Sequence, residues 1–221
     1  MPKSPSAALL SQLHAGLRAL DEDPGSHPCS SYLEYIDLLA KWNQAYNLSG
    51  IKPIEQMLTH HVLDSLSILP YVHGGSGLDV GSGAGLPGFI LALARRDMHW
   101  VLLDSNEKKI RFLNQALLEF APKNVEVVRV RVEDYQPEHR FSTITCRALM
   151  SASKFCRVTD DLLEHSGRIM MMKGAAVEED NKQIDKERYT SQIQSISVPG
   201  LEASRHLLII ERHLIIVKPT V

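Results

Sequence analysis

Residues 78–88 read Leu-Asp-Val-Gly-Ser-Gly-Ala-Gly-Leu-Pro-Gly, and their types and spacing suit ligand binding. An apolar run carrying Asp79 leads into glycines at 81, 83 and 85. Bare backbone there permits a tight turn with positive φ and lets a ligand approach the main chain. Pro87 then fits the first turn of a helix, where its missing N–H costs nothing. A second apolar run, Trp-Val-Leu-Leu-Asp, ends in Asp104, about 20 residues beyond the glycines, where a βαβ unit delivers a carboxylate to ribose hydroxyls. Asp104 is thus the first candidate for contact with a nucleoside-like cofactor. Its competing role is helix capping, for which Asp104, Ser105 and Asn106 are all suited.

The elements that must hold these groups follow from hydrophobic periodicity. The pattern predicts strands at 77–80, 99–104, 125–130, 142–147 and 167–173, and helices at 86–96, 106–121, 149–165 and 176–188. This alternation implies a parallel sheet with helices on both faces. Ligands of such sheets bind outside the carboxyl ends of the strands, where the glycine loop and Asp104 meet. Two extended runs at 192–198 and 206–217, with no helix between them, predict an antiparallel hairpin at the sheet edge. Residues 205–210 are echoed by 212–217, read either as one long strand or as a strand running past the sheet.

Upstream, residues 1–8 read as a loose tail, and Leu9, Leu10, Leu13, Leu17 and Leu20 then recur at helical spacing until Pro24 and Pro28 interrupt them. Ser31 and Glu34 have capping-box spacing for a second helix, striped by Leu33, Ile36, Leu39, Trp42 and Tyr46. A third helix is expected after Pro53, running through Ile54, His61 and Leu69 to a stop at Pro70. The expected division is a helical extension over 1–73 and an α/β core over 74–221.

Composition narrows the class. The 221 residues, 44% hydrophobic, suit one α/β domain with an appendage. No apolar run of about 18 residues and no charged-then-apolar leader is present, so neither a membrane span nor secretion is expected and the chain reads as cytoplasmic. Cys29, Cys146 and Cys156 are odd in number and lack C-x-x-C spacing, which argues for reduced, partly buried thiols and against zinc. A net charge of −2 does not announce a nucleic-acid binder, so an RNA partner would need a local basic face.

The glycine spacing itself is G-x-G-x-G after an acid, and Leu86 stands where a dinucleotide fingerprint needs its third glycine. This pattern resembles the first motif of the S-adenosylmethionine (SAM) methyltransferases, and parallel strands closed by an antiparallel hairpin are similar to their core. Longer strings resemble one family within that class, the RsmG/GidB-type methyltransferases, which modify N7 of a guanine in small-subunit (16S) ribosomal RNA. They are Lys-Trp-Asn-Gln-Ala-Tyr-Asn-Leu-Ser at 41–49, His-Val-Leu-Asp-Ser-Leu at 61–66, residues 79–88, Leu-Leu-Asp-Ser at 102–105, Arg-Val-Glu-Asp at 131–134, Cys-Arg-Ala at 146–148 and Arg-His-Leu at 205–207. Together they span most of the chain, in the family's order. The departures are Ser49 for a usual threonine, Cys146 for a usual serine, and Gly174-Ala175 where an acid often follows Lys-Gly.

The resemblance implies a Rossmann-like α/β fold, SAM as cofactor and 16S ribosomal RNA or a small-subunit particle as partner; no metal and a monomeric chain are expected beside it. The candidate cofactor contacts are Asp79, Gly81, Ser82, Gly83, Gly85 and Leu86 along the loop, with Asp104 and Ser105 at the next strand end. The family pattern implies those at Gly81 and Leu86 and adds Val132, Glu133 and Arg147. Val132 and Glu133 would flank the adenine, although Glu133 and Asp134 equally suit a solvated turn or a cap. Arg147 is the positioning candidate. It suits the methionine carboxylate, an RNA phosphate, or a structural ion pair.

Methyl transfer from SAM is an in-line displacement at carbon, and holding the acceptor about 3 Å from the methyl supplies most of the catalysis. Guanine N7 carries a lone pair and no proton, so no general base is needed, and no catalytic acid/base pair is assigned here. An Asn-Pro-Pro-Tyr tetrapeptide after the fourth strand would mark adenine N6 as acceptor, and residues 146–149 read Cys-Arg-Ala-Leu instead. Lys52, Lys108, Lys109, Arg111, Arg129, Arg131, Arg140 and Lys173 are candidates for a basic rim, or for a solvated face. Arg131 and Lys173, placed by strand ends, are the preferred substrate contacts together with Arg147. His60 and His61 suit the RNA face, or for His61 a buried helical position. Two other readings compete: a small-molecule SAM methyltransferase, which the near-neutral charge favours, and a non-enzymatic RNA-binding or assembly module, which the intact acid–glycine set disfavours. A nicotinamide dehydrogenase is disfavoured by Leu86.

Overall fold

The computed structural model describes residues 7–147 and 149–213. The chain begins with α1 (Ala7–Ala19) and α2 (Cys29–Tyr46), followed by α3 (Ile54–Met57), a π-helical segment Leu58–Leu63, and α4 (Asp64–Leu66). Strands and helices then alternate: β1 (Ser76–Val80), α5 (Gly88–Ala94), β2 (His99–Asp104), α6 (Glu107–Phe120), β3 (Val125–Arg129), β4 (Phe141–Arg147), α7 (Ala152–Thr159), β5 (Leu163–Lys173), α8 (Val177–Lys182), β6 (Tyr189–Ile196) and β7 (Arg205–Arg212). One seven-stranded sheet results, in the order β3-β2-β1-β4-β5-β7-β6. The first five strands are parallel, and β1 pairs with both β2 and β4. That places the crevice of the sheet at the carboxyl end of β1, where the glycine loop starts.

Alternate strand residues feed opposite faces. Trp100 and Leu102 of β2 point to one side, Val101 and Leu103 to the other. On the first side a continuous apolar cluster joins Leu13 of α1 and Leu33 and Ile36 of α2 to Phe89 and Ile90 of α5 and Phe112 of α6. The N-terminal helices therefore share a core with the helices that cover the sheet. On the second side Phe155 and Cys156 of α7 and Val177 of α8 pack with Leu78, Ile144 and Ile169. All three cysteines are buried free thiols. No helix among the described residues is long and apolar enough to cross a membrane.

The expected hairpin is present, with β7 inserted antiparallel between β5 and β6 and β6 forming the edge. Lys173 lies opposite His206, so the start of β7 sits beside the carboxyl end of β5. Residues 205–212 form a single strand, His213 donates its N–H to Arg188 O at 2.9 Å, and residues 214–217 lie outside the described residues. So do 1–6 of the expected tail, whereas Ala7 and Ala8 already belong to α1.

Four expected helices differ from the pattern, the one expected over 176–188 stopping at Lys182, after which Gln183 and Ile184 close turns onto Asp180 and Asn181; the other three differ as follows. The capping box at Ser31 and Glu34 does not form, because α2 starts earlier, at Cys29 behind Pro28, with no side-chain cap. The third helix is broken by the π-helical segment at Leu58–Leu63, a widening that marks functional segments in many helices. The helix expected over 149–165 starts only at Ala152 and ends at Thr159, where the chain tightens into a 3₁₀ turn over Asp160–Leu162 before entering β5. Asp160 accepts from Arg212 Nε at 3.0 Å, Tyr189 Oη at 2.6 Å and Arg188 Nη2 at 2.6 Å, which ties this turn to the closing hairpin.

Candidate functional site

The loop after β1 is fixed from both sides. The N–H groups of Gly81 and Ser82 donate to Leu103 O at 2.8 and 3.0 Å, which binds the loop to the end of β2. Asp79 stands behind it with no exposure. Its Oδ2 accepts from Gly88 N at 3.0 Å and its Oδ1 from Thr145 Oγ1 at 2.9 Å, so one carboxylate joins β1 to the start of α5 and to β4. Burial pushes its pKa up to about 6 against the hydrogen bonds that favour the ion. At the end of β2, Asp104 Oδ2 accepts from Gly83 N at 2.9 Å and Oδ1 from Asn106 N at 2.8 Å, with Lys109 Nζ 3.7 Å from Oδ2. The cap of α6 is Asn106, whose side chain accepts from the N–H groups of Lys108 and Lys109. Asp104 is thereby free of the capping role and faces the glycine loop.

Two cavities open on this loop. The smaller, about 390 Å³, is lined by Gly81, Asp104, Ser105, Val132, Glu133 and Leu149 among others. The larger, about 520 Å³, has Gly81, Ser82, Gly83 and Leu86 on one wall, and residues 48–51 of the loop after α2, with His60, His61 and Asp64 of the helical segment beyond it, on the other. Arg147, Lys173 and Arg205 close its rim. Gly81 and Lys109 line both cavities, so the two adjoin at the glycine loop. Gly83 has φ of +61°, a conformation that favours glycine, and a Cβ there would lie 3.7 Å from Lys109 Nζ, so the backbone is bare on the side that faces the cavity.

The larger cavity carries net positive charge. The Asp64 carboxylate, 2% exposed, sits between Arg205, whose Nε lies 3.1 Å from Oδ1, and Arg147, whose Nη1 lies 3.5 Å from Oδ2. Arg147 Nη1 also donates to His60 O at 3.2 Å, on the π-helical segment. One carboxylate against two guanidinium groups leaves the wall cationic. His61 Nε2 lies 2.8 Å from Ser49 Oγ, and burial, with Arg147 beside it, lowers the pKa of His61 to about 4. Its ring is neutral at physiological pH.

The structure brings together most of the residues expected from the sequence, and divides them between the cavities. Gly81, Ser82, Gly83, Leu86, Arg147 and Lys173 line the larger; Gly81, Asp104, Ser105, Val132 and Glu133 line the smaller. Asp79 and Gly85 are on neither wall: Asp79 braces the loop from behind, and Gly85 faces Tyr35. Arg131 lies on the smaller cavity, apart from Arg147 and Lys173, because β3 is two strands away from β1 while β4 adjoins it. Lys173 Nζ is already held by Met150 O at 2.8 Å and Asp180 Oδ2 at 3.0 Å. Arg140, expected on the rim, lies with Ser76 and His99 in a groove at the amino ends of the strands, since it immediately precedes β4. Arg111 and Arg129 both pair with Glu107 at 3.2 Å. Sequence reasoning did not assign Asp64 or Arg205 to the site. Both lie in strings quoted above, but their roles depend on β7 running antiparallel beside β5. Among the described residues no group of His, Cys, Asp and Glu is arranged to hold a metal ion.

A glycine loop at the crevice of this sheet, an acid closing the next strand and an antiparallel closing hairpin define a Rossmann-like methyltransferase. A SAM-dependent methyltransferase from Aquifex aeolicus has the same fold, with a TM-score of 0.58 at 15% identity over 70% of this chain and 92% of that one. TrmN from Thermus thermophilus matches with a TM-score of 0.57 at 14% identity, over 78% of this chain and 52% of its own. Within that class the chain belongs to the GidB family, rRNA small subunit methyltransferase G, which matches residues 29–209. The ribosomal RNA small subunit methyltransferase G of Chromobacterium violaceum is 46% identical over 175 residues, 79% of this chain and 84% of that protein. Its counterpart in Nitrosomonas europaea is 43% identical over 205 residues, 90% and 95% of the two chains.

The buried Asp79 gives a pH dependence whose sign follows from its environment. Its native pKa of about 6 lies above the ordinary 3.8, so the folded chain binds this proton more tightly than the unfolded one. Between about pH 4 and pH 6 the contribution of Asp79 to stability therefore falls as pH rises, and it levels off above that window. Asp79→Asn removes the titration, so the stability of the variant relative to wild type is expected to rise across that window and then stay flat. Urea denaturation from pH 4 to pH 8 measures the difference, and parallel curves would contradict the assignment.

Proposed function

We propose that this chain transfers the methyl group of SAM to N7 of a guanine in small-subunit (16S) ribosomal RNA, as a monomeric cytoplasmic enzyme. The observation that carries the reading is the meeting of two cavities at Gly81, one with an acid at the sugar position and one with a cationic wall. Asp104 accepts ribose hydroxyls, its two oxygens having lone pairs left beyond the backbone N–H groups they already hold. Val132 and the backbone at Glu133 flank the adenine. Arg147, at the junction of core and N-terminal helices, takes an anionic group, either the methionine carboxylate or an RNA phosphate. When bound, SAM supplies an electrophilic methyl on a good leaving group.

The acceptor base enters the larger cavity, unstacked from its RNA. Asp64 and His61, two of the titratable groups there, fit an acceptor that needs no deprotonation. Asp64 is held by two arginines, and neutral His61 directs Nε2 at Ser49. Positioning then supplies the catalysis. The division at 73/74 separates an acceptor-side wall from the cofactor-binding core.

Incubation of the protein with SAM and small-subunit RNA lacking the modification, followed by nucleoside mass spectrometry, is expected to yield 7-methylguanosine; methylation of another nucleoside, or none, overturns the reading. Asp104→Ala is expected to weaken SAM binding by about tenfold or more in calorimetry, losing both the sugar contact and the tether on Gly83. Arg147→Ala leaves Asp64 its contact with Arg205, so the fold is expected to persist while methylation falls at least about 100-fold. Near-normal turnover in that variant would remove Arg147 from the site.

A further inference from the structure

We propose that α2 is the positioning element of the whole site: Tyr35 grips the cofactor loop, and Asn43, about two turns along the same helix, shapes the wall against which the acceptor lies. The inference rests on the assignment of the two cavities above. It adds two residues, neither of which touches the reacting groups.

Tyr35 is fully buried. Its hydroxyl donates to Ala84 O, within the glycine loop and 49 residues away in the chain. The ring stacks on Phe89 with centroids 4.6 Å apart and meets Phe112 edge-on at 5.7 Å. At Gly85, next to Ala84, the hydroxyl leaves no room for a side chain. A Cβ there would lie 2.5 Å from Tyr35 Oη and 2.9 Å from Phe89 Cβ, and the residue has φ of +73°. The third glycine of the motif thus answers both to its positive φ and to the phenol, Leu113 and Phe89 packed behind the loop. With Asp79 and Asp104 holding the ends of the loop, Tyr35 holds its middle.

Asn43 works at the other end. Its Oδ1 accepts from Ser49 N at 2.8 Å and its Nδ2 donates to Ile51 O at 3.1 Å, closing residues 49–51 into a fixed strap. Ile51 N donates to Ser49 Oγ at 3.1 Å, and that hydroxyl pairs with His61 Nε2 at 2.8 Å. Ser49, Ile51 and His61 all line the larger cavity, and none lines the smaller. Ala84, which Tyr35 holds, lines the larger cavity as well, so the division lies between loop and strap: Tyr35 acts on the glycine loop and Asn43 on the strap facing it, and their removal should separate the two affinities.

Tyr35→Phe deletes one hydroxyl and keeps the ring. It is expected to raise the SAM Kd about tenfold in calorimetry, while leaving the RNA KM and kcat at saturating SAM unchanged. Asn43→Ala is expected to do the reverse, raising the RNA KM about tenfold with the SAM Kd unchanged. Ser49→Ala cuts the same network from the strap itself, without disturbing the core, and is expected to shift the RNA KM in the same direction should Asn43→Ala fold poorly. A purely structural role would lower the Tm of both variants and move both affinities together or neither, and that result overturns the proposal. Wild-type protein assayed alongside separates the two claims: no methylation by wild type defeats the proposed function, whereas normal wild-type turnover without the split defeats only this inference.

Discussion

A carboxylate sealed inside the sheet is the constraint on which the site depends. Asp79 receives hydrogen bonds from the first N–H of α5 and from Thr145 on β4, and Ser82 Oγ donates to its backbone carbonyl at 2.8 Å. Burying an ionisable group without partners costs several kcal/mol, so these bonds are what make the position tolerable. They also fix the angle at which the chain leaves β1. A loop of three glycines has little preference of its own, and its single conformation comes from Asp79 behind it, Leu103 O and Asp104 beside it, and Tyr35 beneath it.

The active face is consequently a joint construction. The α/β core supplies the glycine loop and Asp104, while the N-terminal segment, sharing one apolar cluster with α5 and α6, supplies the opposing wall of the larger cavity. The π-helical segment matters at this seam. It places His60 O within reach of Arg147, and Asp64 follows directly after it. Shared packing holds the two walls at a fixed separation, which suits a reaction driven by alignment more than by acid or base chemistry.

Charge is arranged in the same economical way. A near-neutral chain has little long-range attraction for RNA, yet Arg147 and Arg205 are gathered around one carboxylate at the mouth of the cavity. Breaking such a buried arrangement by removing Asp64 would leave two cations facing each other, so Asp64 orients them as well as neutralising one. The antiparallel course of β7 is what brings Arg205 there, because a parallel strand would have started at the opposite edge.

The sequence by itself determined those parts whose partners are close along the chain. The β1–glycine loop–α5 turn, the strand ending in Asp104, the alternation of strands and helices and the terminal hairpin all follow from local periodicity and backbone chemistry, and the spaced strings were enough to point to the family. Tertiary structure decided which group meets which. Asn106 rather than Asp104 caps α6, Gly85 answers to Tyr35, Arg131 lines the smaller cavity, and Asp64 finds Arg205 across 141 residues. The physical reason is that periodicity encodes a residue's own helix or strand, whereas the partner of a buried charge or phenol depends on strand order and helix packing, which no local window contains.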